Sequence, residues 1–263
     1  MHQADQSPKS IYAAFWDHYC EHWQNTDAFR SAKCQWPGDE WGSLQEWQRN
    51  FEMLFIPAGV AAWKRAVEIG PGSGKYTEMV LAHSQARICA YDVSNRFLQI
   101  CADRMRERMN QDRLSLNLLP CSSAEEMLFD LRARGWERTV DAFYSIDAMV
   151  HVDLQYLTVY LITAALVLKP GGKLILSLAD ATTELGFQQL LADSWWAYAA
   201  QASQVGSGKF EWLSPELVRS LLPRLGFELE FLHNAERDLF VVAALTSPAR
   251  SDQLGGFLKG STT

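Results

Sequence analysis

Residues 67–78 read VEIGPGSGKYTE, an apolar run closed by the acid Glu68 and then a glycine at every second position. Three glycines followed by a lysine suggest a loop that binds phosphate. The P-loop pattern is excluded, because Ile69 stands where its first glycine is required and Tyr76 replaces the Ser or Thr that binds Mg²⁺. The dinucleotide pattern G-x-G-x-x-G also fails, since its third glycine falls on Lys75. The loop therefore has to be interpreted together with its surroundings.

The composition is that of an ordinary globular protein of 263 residues, with 48% apolar and 21% charged residues. A net charge of −7 argues against a nucleic-acid or anionic-membrane partner. The N-terminal residues lack a secretory signal, and the longest apolar tract, 154–168, is too short to span a bilayer. Five scattered cysteines without a C-x-x-C pair indicate free thiols. We expect a cytoplasmic protein.

Short β-rich runs alternate with helical patterns from residue 66 onward. Strands are predicted at 66–70, 86–93, 114–121, 140–146, 173–179, 227–233 and 238–246. Helices are predicted at 75–84, 94–110, 123–134, 154–168 and 214–226. The alternation implies parallel strands with right-handed crossovers, whereas the short last connection implies a hairpin. The predicted fold class is α/β, a doubly wound, seven-stranded, mostly parallel sheet with an antiparallel C-terminal hairpin.

The domain organisation follows from what lies outside this alternation. Residues 1–60 are predicted to form a helical N-terminal lid, and residues 61–246 the main domain. An insertion at about 181–213 is expected to cap the substrate. The Ser-, Gly- and Thr-rich residues 247–263 are expected to be a flexible tail.

Polar residues follow several of the predicted strands. In a doubly wound sheet the ligand lies across the carboxyl ends of the strands, near the point where strand order reverses. The glycine loop ends the first strand and Asp92 ends the second, where a carboxylate can accept both hydroxyls of a ribose. Ser123 and Ala124 follow the third strand, at the expected adenine edge, and residues 145–151 follow the fourth. This order predicts a nucleoside-like cofactor with the reacting centre beside the fourth strand.

Five motifs mark the ends of the predicted strands: VEIGPGSG, AYDVS, CSSAEEM, DAFYSIDAMVHV and LKPGGKLILSLAD. Through these motifs, and over about residues 66–246, the chain resembles the class I S-adenosylmethionine-dependent methyltransferases. The antiparallel hairpin also separates this family from dehydrogenases. The resemblance implies S-adenosylmethionine as cofactor, with Glu68 near its methionine end and Asp92 on its ribose. The full set of implied cofactor residues is Glu68, Gly70, Pro71, Gly72, Ser73, Gly74, Asp92, Val93, Ser123, Ala124, Glu125, Ser145 and Ile146. Many members have Asp where this chain has Ser123.

Methyl transfer is an in-line displacement, so alignment is the main contribution of the protein. A nucleophile that carries a proton needs a base, for which His151 is the first candidate and Asp147 the second. A thioether needs no base, and His151 would then only orient the substrate. An ordinary cap or core histidine is an equally good interpretation of His151.

Aromatic residues are concentrated in the predicted lid and cap. Six candidate substrate contacts are Tyr12, Trp16, Tyr19, Trp41, Trp195 and Trp196. Their ring faces would suit a small amino-acid-like or amine-like substrate, although these rings could simply pack on one another. The acceptor atom, N, S or O, and the oligomeric state stay open.

Two other classes of function are considered. His18 and His22 form an H-x-x-E-H pattern, which in another context would suggest a zinc hydrolase. Nothing nearby completes such a site, and we expect no metal. The other alternative is a module that binds the cofactor without turnover.

Overall fold

The computed structural model describes residues 8–25, 34–106, 112–119, 124–199 and 209–248. An eight-stranded sheet forms the centre of the molecule. Its strands are β1 Arg65–Ile69, β2 Arg87–Asp92, β3 Leu114–Leu118, β4 Val140–Ser145, β5 Leu168–Asp180, β6 Trp212–Leu213, β7 Phe227–Ala235 and β8 Asp238–Leu245. Their order is β3-β2-β1-β4-β5-β8-β7, and β6 pairs with β5.

The predicted fold class is confirmed. Strands β1 to β5 pair in parallel, and β8 runs antiparallel to both β5 and β7. Two details differ from the prediction. The two-residue β6 adds an eighth strand, and β5 begins at Leu168 because the Lys-Pro-Gly-Gly turn is held against β4 through the pairing of Val140 with Leu168. Strand order reverses at β1, between β2 and β4, so a ligand crevice is expected there.

Eight α-helices are found within the described residues. They are α1 Pro8–His22, α2 Leu44–Leu54, α3 Lys75–His83, α4 Asn95–Arg104, α5 Ala124–Ala133, α6 Leu154–Val167, α7 Glu184–Ala199 and α8 Pro215–Leu221. Side-chain caps fix several starts: Ser94 accepts from Phe97 N before α4, and Asp153 accepts from Gln155 N and Tyr156 N before α6. The predicted helix at 94–110 ends earlier, at Arg104, and residues 107–110 lie outside the described part.

Helices pack on both faces of the sheet and produce two buried apolar clusters. One lies under α5, α6 and α8, and the other under α2, α3 and α4. No helix among the described residues is long and apolar enough to cross a membrane. The predicted tail lies outside the described residues from position 249 onward.

Candidate active site

The glycine loop forms the floor of a cavity at the carboxyl ends of β1 and β4. Gly70, Gly72 and Gly74 all have positive φ angles, of 66°, 54° and 90°, a region that favours glycine. At Gly70 a Cβ would stand 2.2 Å from Cβ of Ala148, the loop residue after β4. The two strand-end loops therefore approach each other only because Gly70 has no side chain.

Asp92 lies at the end of β2 with its carboxylate on the cavity wall. Its Oδ1 accepts from Ser94 N at 2.8 Å and its Oδ2 from Gly72 N at 3.3 Å. Burial raises the pKa of Asp92 to about 6, against the lowering effect of these backbone donors. At neutral pH the side chain is a buried, oriented acceptor, as recognition of a ribose diol requires.

Glu68, on β1, is the second buried carboxylate of the cavity. Its Oε2 accepts from the hydroxyls of Thr77 at 2.6 Å and Tyr144 at 3.0 Å. Burial raises the pKa of Glu68 to about 7, and the two hydroxyl donors oppose this shift. The two donors fix one carboxylate oxygen, and the side chain also lines the cavity.

The predicted adenine-side residues have different positions. Ser123 lies outside the described residues, Ala124 is buried in the core, and Glu125 is exposed. Neither Ala124 nor Glu125 lines the cavity. Leu119, which directly follows β3, lines it instead. Further apolar lining on this side comes from Val93, Phe97, Met149, Val152 and Tyr160.

The other predicted cofactor residues fall into two groups. The residues of the first group line the cavity, and they are Pro71, Ser73, Val93 and Ile146. Ser145 does not, because its Oγ donates to the Ile69 carbonyl at 2.9 Å and ties β4 to β1. Gly74 does not line it either, and it precedes α3 as a left-handed N-cap.

His151 lies in a 3₁₀ turn, Met149–His151, at the side of the cavity that follows β4. Its Nδ1 is 2.8 Å from the Lys209 carbonyl. A carbonyl only accepts, so Nδ1 carries the proton in the neutral ring and Nε2 keeps its lone pair. The ring lies between Trp16 and Phe210, with centroid distances of 5.3 and 5.1 Å. Burial lowers the pKa of His151, so the ring is neutral at pH 7.

Asp147 also lines this side of the cavity and has a positive φ of 63°, uncommon for a residue with a side chain. Its N–H donates to Ser177 Oγ at 2.7 Å. Protein surrounds the carboxyl, but the open cavity keeps it accessible to solvent. Burial raises the pKa of Asp147, and the charges of Lys75 and Arg237 oppose that shift.

Helix α1 is anchored directly to the cofactor side of the sheet. Asp17 Oδ1 accepts from Ser94 Oγ at 2.6 Å and from Arg96 N at 3.0 Å. Arg96 also pairs with Glu21 at 3.0 Å. Because Ser94 N holds Asp92, α1 is two hydrogen bonds away from the expected ribose contact.

Residues 36–41 form the second N-terminal segment beside the cavity. The Glu40 carboxylate joins this segment to α1: it accepts from the Tyr19 hydroxyl, from Trp23 Nε1 at 3.1 Å and from Gly38 N at 2.9 Å. We call α1 and residues 36–41 together the N-terminal segments. They contribute five residues to the lining of the cavity, which are Tyr12, Trp16, Pro37, Gly38 and Trp41.

The six predicted substrate aromatics are therefore divided. Tyr12, Trp16 and Trp41 line the cavity. Tyr19 does not, since its hydroxyl binds Glu40 and its ring packs on Trp41 at 5.3 Å. Trp195 does not either: it lies on α7 with 68% of its surface exposed. Trp196 lies on the same helix, and its side chain is outside what the structure describes.

Lys75, Tyr76, Pro37 and Gly38 also line the cavity and were missed as site residues. Lys75 and Tyr76 belong to the quoted motif, so their position after the third glycine was a usable signal. Nothing in the local sequence indicated Pro37 or Gly38.

His18 and His22 lie on exposed turns of α1. His22 Nδ1 is 2.9 Å from the His18 carbonyl, and the ring centroids are 4.0 Å apart. Within the described residues no group of three or more His, Cys, Asp or Glu side chains could hold a metal ion. The zinc-hydrolase alternative therefore gains no support.

Comparisons with known proteins agree with this geometry. A family described as a methyltransferase domain matches residues 67–174. A comparison with curated proteins gives no match. Magnesium protoporphyrin IX methyltransferase from Synechocystis PCC 6803, with bound S-adenosylhomocysteine, has a TM-score of 0.62 at 12% identity, covering 91% of this chain and 100% of that one.

Two further solved structures share the fold. Geranyl diphosphate C-methyltransferase from Streptomyces coelicolor A3(2) has a TM-score of 0.57 at 12% identity, over 76% of this chain and 80% of that one. A SAM-dependent methyltransferase from Methanosarcina mazei has a TM-score of 0.56 at 16% identity, over 73% and 97% of the two chains.

Residues 67–174 match a methyltransferase domain, and the fold is that of the class I, Rossmann-like S-adenosylmethionine-dependent methyltransferases. The residues present fit the cofactor, S-adenosylmethionine. The buried carboxylate of Asp92 and the loop with the three left-handed glycines, Gly70, Gly72 and Gly74, lie at adjacent strand ends. When bound, the cofactor supplies an electrophilic methyl group on a sulfonium.

Proposed function

We propose that the protein transfers this methyl group to a proton-bearing nitrogen or oxygen of a small metabolite, with His151 as the base. The observation that carries the proposal is the hydrogen bond from His151 Nδ1 to the Lys209 carbonyl. It directs the free lone pair of Nε2 away from the backbone, in a side chain that lines the cavity. A base that is neutral at pH 7 is ready to accept the proton of the acceptor.

The surroundings support an amine-like or amino-acid-like acceptor. Trp16, Trp41 and Tyr12 offer ring faces, which attract a cation. The Asp147 carboxyl offers a charge-assisted hydrogen bond to an ammonium on the same side as His151. Asp147 would hold and orient the acceptor, and His151 would take up its proton.

We propose that the N-terminal segments act as a lid over this acceptor site, and that the main domain spans residues 61–246. Support comes from the aromatic wall that these segments contribute and from their anchoring through Asp17 and Glu40. A lid excludes water from the reacting centre. We also propose a cytoplasmic location, which is what five scattered cysteines without a C-x-x-C pair favour.

His151→Gln tests the proposed base. The purified protein is incubated with S-adenosylmethionine and fractionated metabolites, and formation of S-adenosylhomocysteine is followed to find the acceptor. With that acceptor we expect His151→Gln to lose roughly 10²- to 10⁴-fold in kcat. Wild-type kcat should fall as pH drops through a pKa below the usual histidine value, because protonation removes the base.

His83→Gln is the matched control, since His83 Nδ1 also binds a backbone carbonyl, that of Met79 at 2.8 Å, but on the exposed surface. An unchanged kcat in His151→Gln would contradict the base and favour a thioether acceptor. Absence of turnover with every fraction would favour the binding module.

A further inference from the structure

Lys75 is the one cavity residue whose presence neither the fold nor the proposed reaction explains. It is the first residue of α3, directly after the N-cap Gly74. A cation at a helix N-terminus is disfavoured by the helix dipole. The side chain is nevertheless buried, with 9% of the residue exposed. Helix formation therefore does not account for a lysine here.

The ammonium of Lys75 faces the N-terminal segments. Its Nζ donates to the Gly38 carbonyl at 2.8 Å and lies 4.2 Å from the centre of the Trp47 ring and 5.8 Å from that of Trp41. An ammonium has three donors, and the Gly38 carbonyl takes one of them. The ring faces attract the charge but do not accept a strong hydrogen bond. Donor capacity is left on a side chain that lines the cavity.

Three carboxylates, those of Asp147, Asp39 and Glu40, act on the Lys75 ammonium through space, and Asp147 has the largest effect. Within the described residues its ammonium forms no ion pair. Asp39 Oδ1 lies 3.7 Å from Arg104, and Glu40 is occupied by Tyr19, Trp23 and Gly38. Burial lowers the pKa of Lys75, and the charge of Asp147 is the largest influence that opposes this shift. A ligand carboxylate in direct contact would add the ion pair that the buried ammonium does not form within the described residues.

The charged side chains that line the rest of the cavity are acidic. Its described lining contains four carboxylates, Glu68, Asp92, Asp147 and Asp153, but Lys75 is the one ammonium. Among these lining side chains, Lys75 is the one whose charge would attract a ligand carboxylate. S-adenosylmethionine has one carboxylate, at its methionyl end, and that end is expected beside the glycine loop that Lys75 directly follows.

We propose that Lys75 binds the carboxylate of S-adenosylmethionine and, through Gly38, joins the occupied cofactor site to residues 36–41. This inference rests on the proposed function only in requiring the cofactor, not the acceptor. The glycine loop followed by Lys75 suggests a phosphate-binding loop from its sequence, but in this proposal Lys75 binds a carboxylate. Removal of the Lys75 ammonium should lower the affinity for ligands that carry the carboxylate and leave the affinity for ligands without it unchanged.

The test compares S-adenosylmethionine with decarboxylated S-adenosylmethionine, which keeps the sulfonium, ribose and adenine. Calorimetry gives Kd for both ligands with wild type, Lys75→Met, Lys75→Arg and the exposed control Lys64→Met. Wild type and Lys64→Met should bind S-adenosylmethionine at least about tenfold more tightly than the decarboxylated analogue. In Lys75→Met this ratio should fall to about one, with the analogue affinity within about twofold of wild type.

The ratio separates the proposal from its alternatives. If Lys75 only holds residues 36–41 in place, Lys75→Met will bind both ligands more weakly by the same factor. The ratio of the two affinities will then stay at its wild-type value, which overturns the proposal. Lys75→Arg should keep most of the ratio, and loss of the ratio there as well would contradict a simple charge pair. If wild type binds neither ligand, the cofactor assignment itself fails, a result distinct from a persistent ratio.

Discussion

The floor of the cavity, formed by the ends of β1, β2 and β4, is built differently from its wall, the N-terminal segments. The floor is defined by backbone: three left-handed glycines, a close approach at Ala148, and backbone donors to Asp92. The wall is held by side chains far apart in sequence, such as Asp17 with Ser94 and Glu40 with Tyr19. A floor of this kind suits an invariant ligand, and a wall of this kind suits an acceptor that differs among enzymes.

Gly70→Ala should have the largest effect, since it breaks the floor. The left-handed φ costs about 1–2 kcal/mol for alanine. The contact with Ala148 adds about 1–3 kcal/mol by overpacking. Urea titration should show a matching loss in the free energy of unfolding, and calorimetry a loss of S-adenosylmethionine affinity.

Gly135→Ala is the control for Gly70→Ala, because Gly135 has a similar φ of 69° but no atom within 4 Å of its added Cβ. Gly135→Ala should lose only the free energy of unfolding that the left-handed φ costs alanine, and its affinity for S-adenosylmethionine should not change. Equal losses in the two variants would mean that the approach of the two loops is unimportant.

Asp92→Ala should lower the affinity for S-adenosylmethionine at least tenfold, because one charge-assisted hydrogen bond is worth about 1.5–3 kcal/mol. The pH dependence sharpens this test. With a pKa of about 6, Asp92 is ionised above pH 6 and accepts the ribose hydroxyls best there. Calorimetric affinity of wild type should therefore fall as pH drops through about 6, and this component should vanish in the variant. Asp103→Ala, on the exposed face of α4, is the control; an equal loss there would remove Asp92 from the ribose site.

Glu40→Gln should have a smaller effect and only on the wall. An amide has one acceptor oxygen, so not all of the donors from Tyr19, Trp23 and Gly38 can be retained. A net loss of about 0.5–1.5 kcal/mol is expected, equivalent to roughly two- to tenfold in methyl transfer. Hydrogen exchange at residues 36–41 should rise, while cofactor affinity should stay within about twofold. The exposed Glu52→Gln is the control, and unchanged exchange in Glu40→Gln would show that Glu40 does not hold the wall.

The same contrast explains what could be predicted from sequence. Glu68, Gly70 and Asp92 belong to short patterns at strand ends, where the parallel sheet dictates their neighbours. On the predicted adenine side Leu119 reaches the cavity and Ala124 does not, and only packing decides which does. Tyr19 and Trp195 were predicted from composition, but composition does not show that one binds Glu40 and the other faces solvent. Long-range partners such as Gly38 for Lys75 have no local signal.

A crystal structure with S-adenosylhomocysteine tests the central claim, that this cavity holds the cofactor between the floor and the N-terminal segments. We predict ribose oxygens within hydrogen-bond distance of Asp92, the amino-acid carboxylate at Lys75, and the sulfur facing the side of the cavity that contains His151. An adenosyl group bound outside this cavity, or a ribose that does not contact Asp92, would contradict the account.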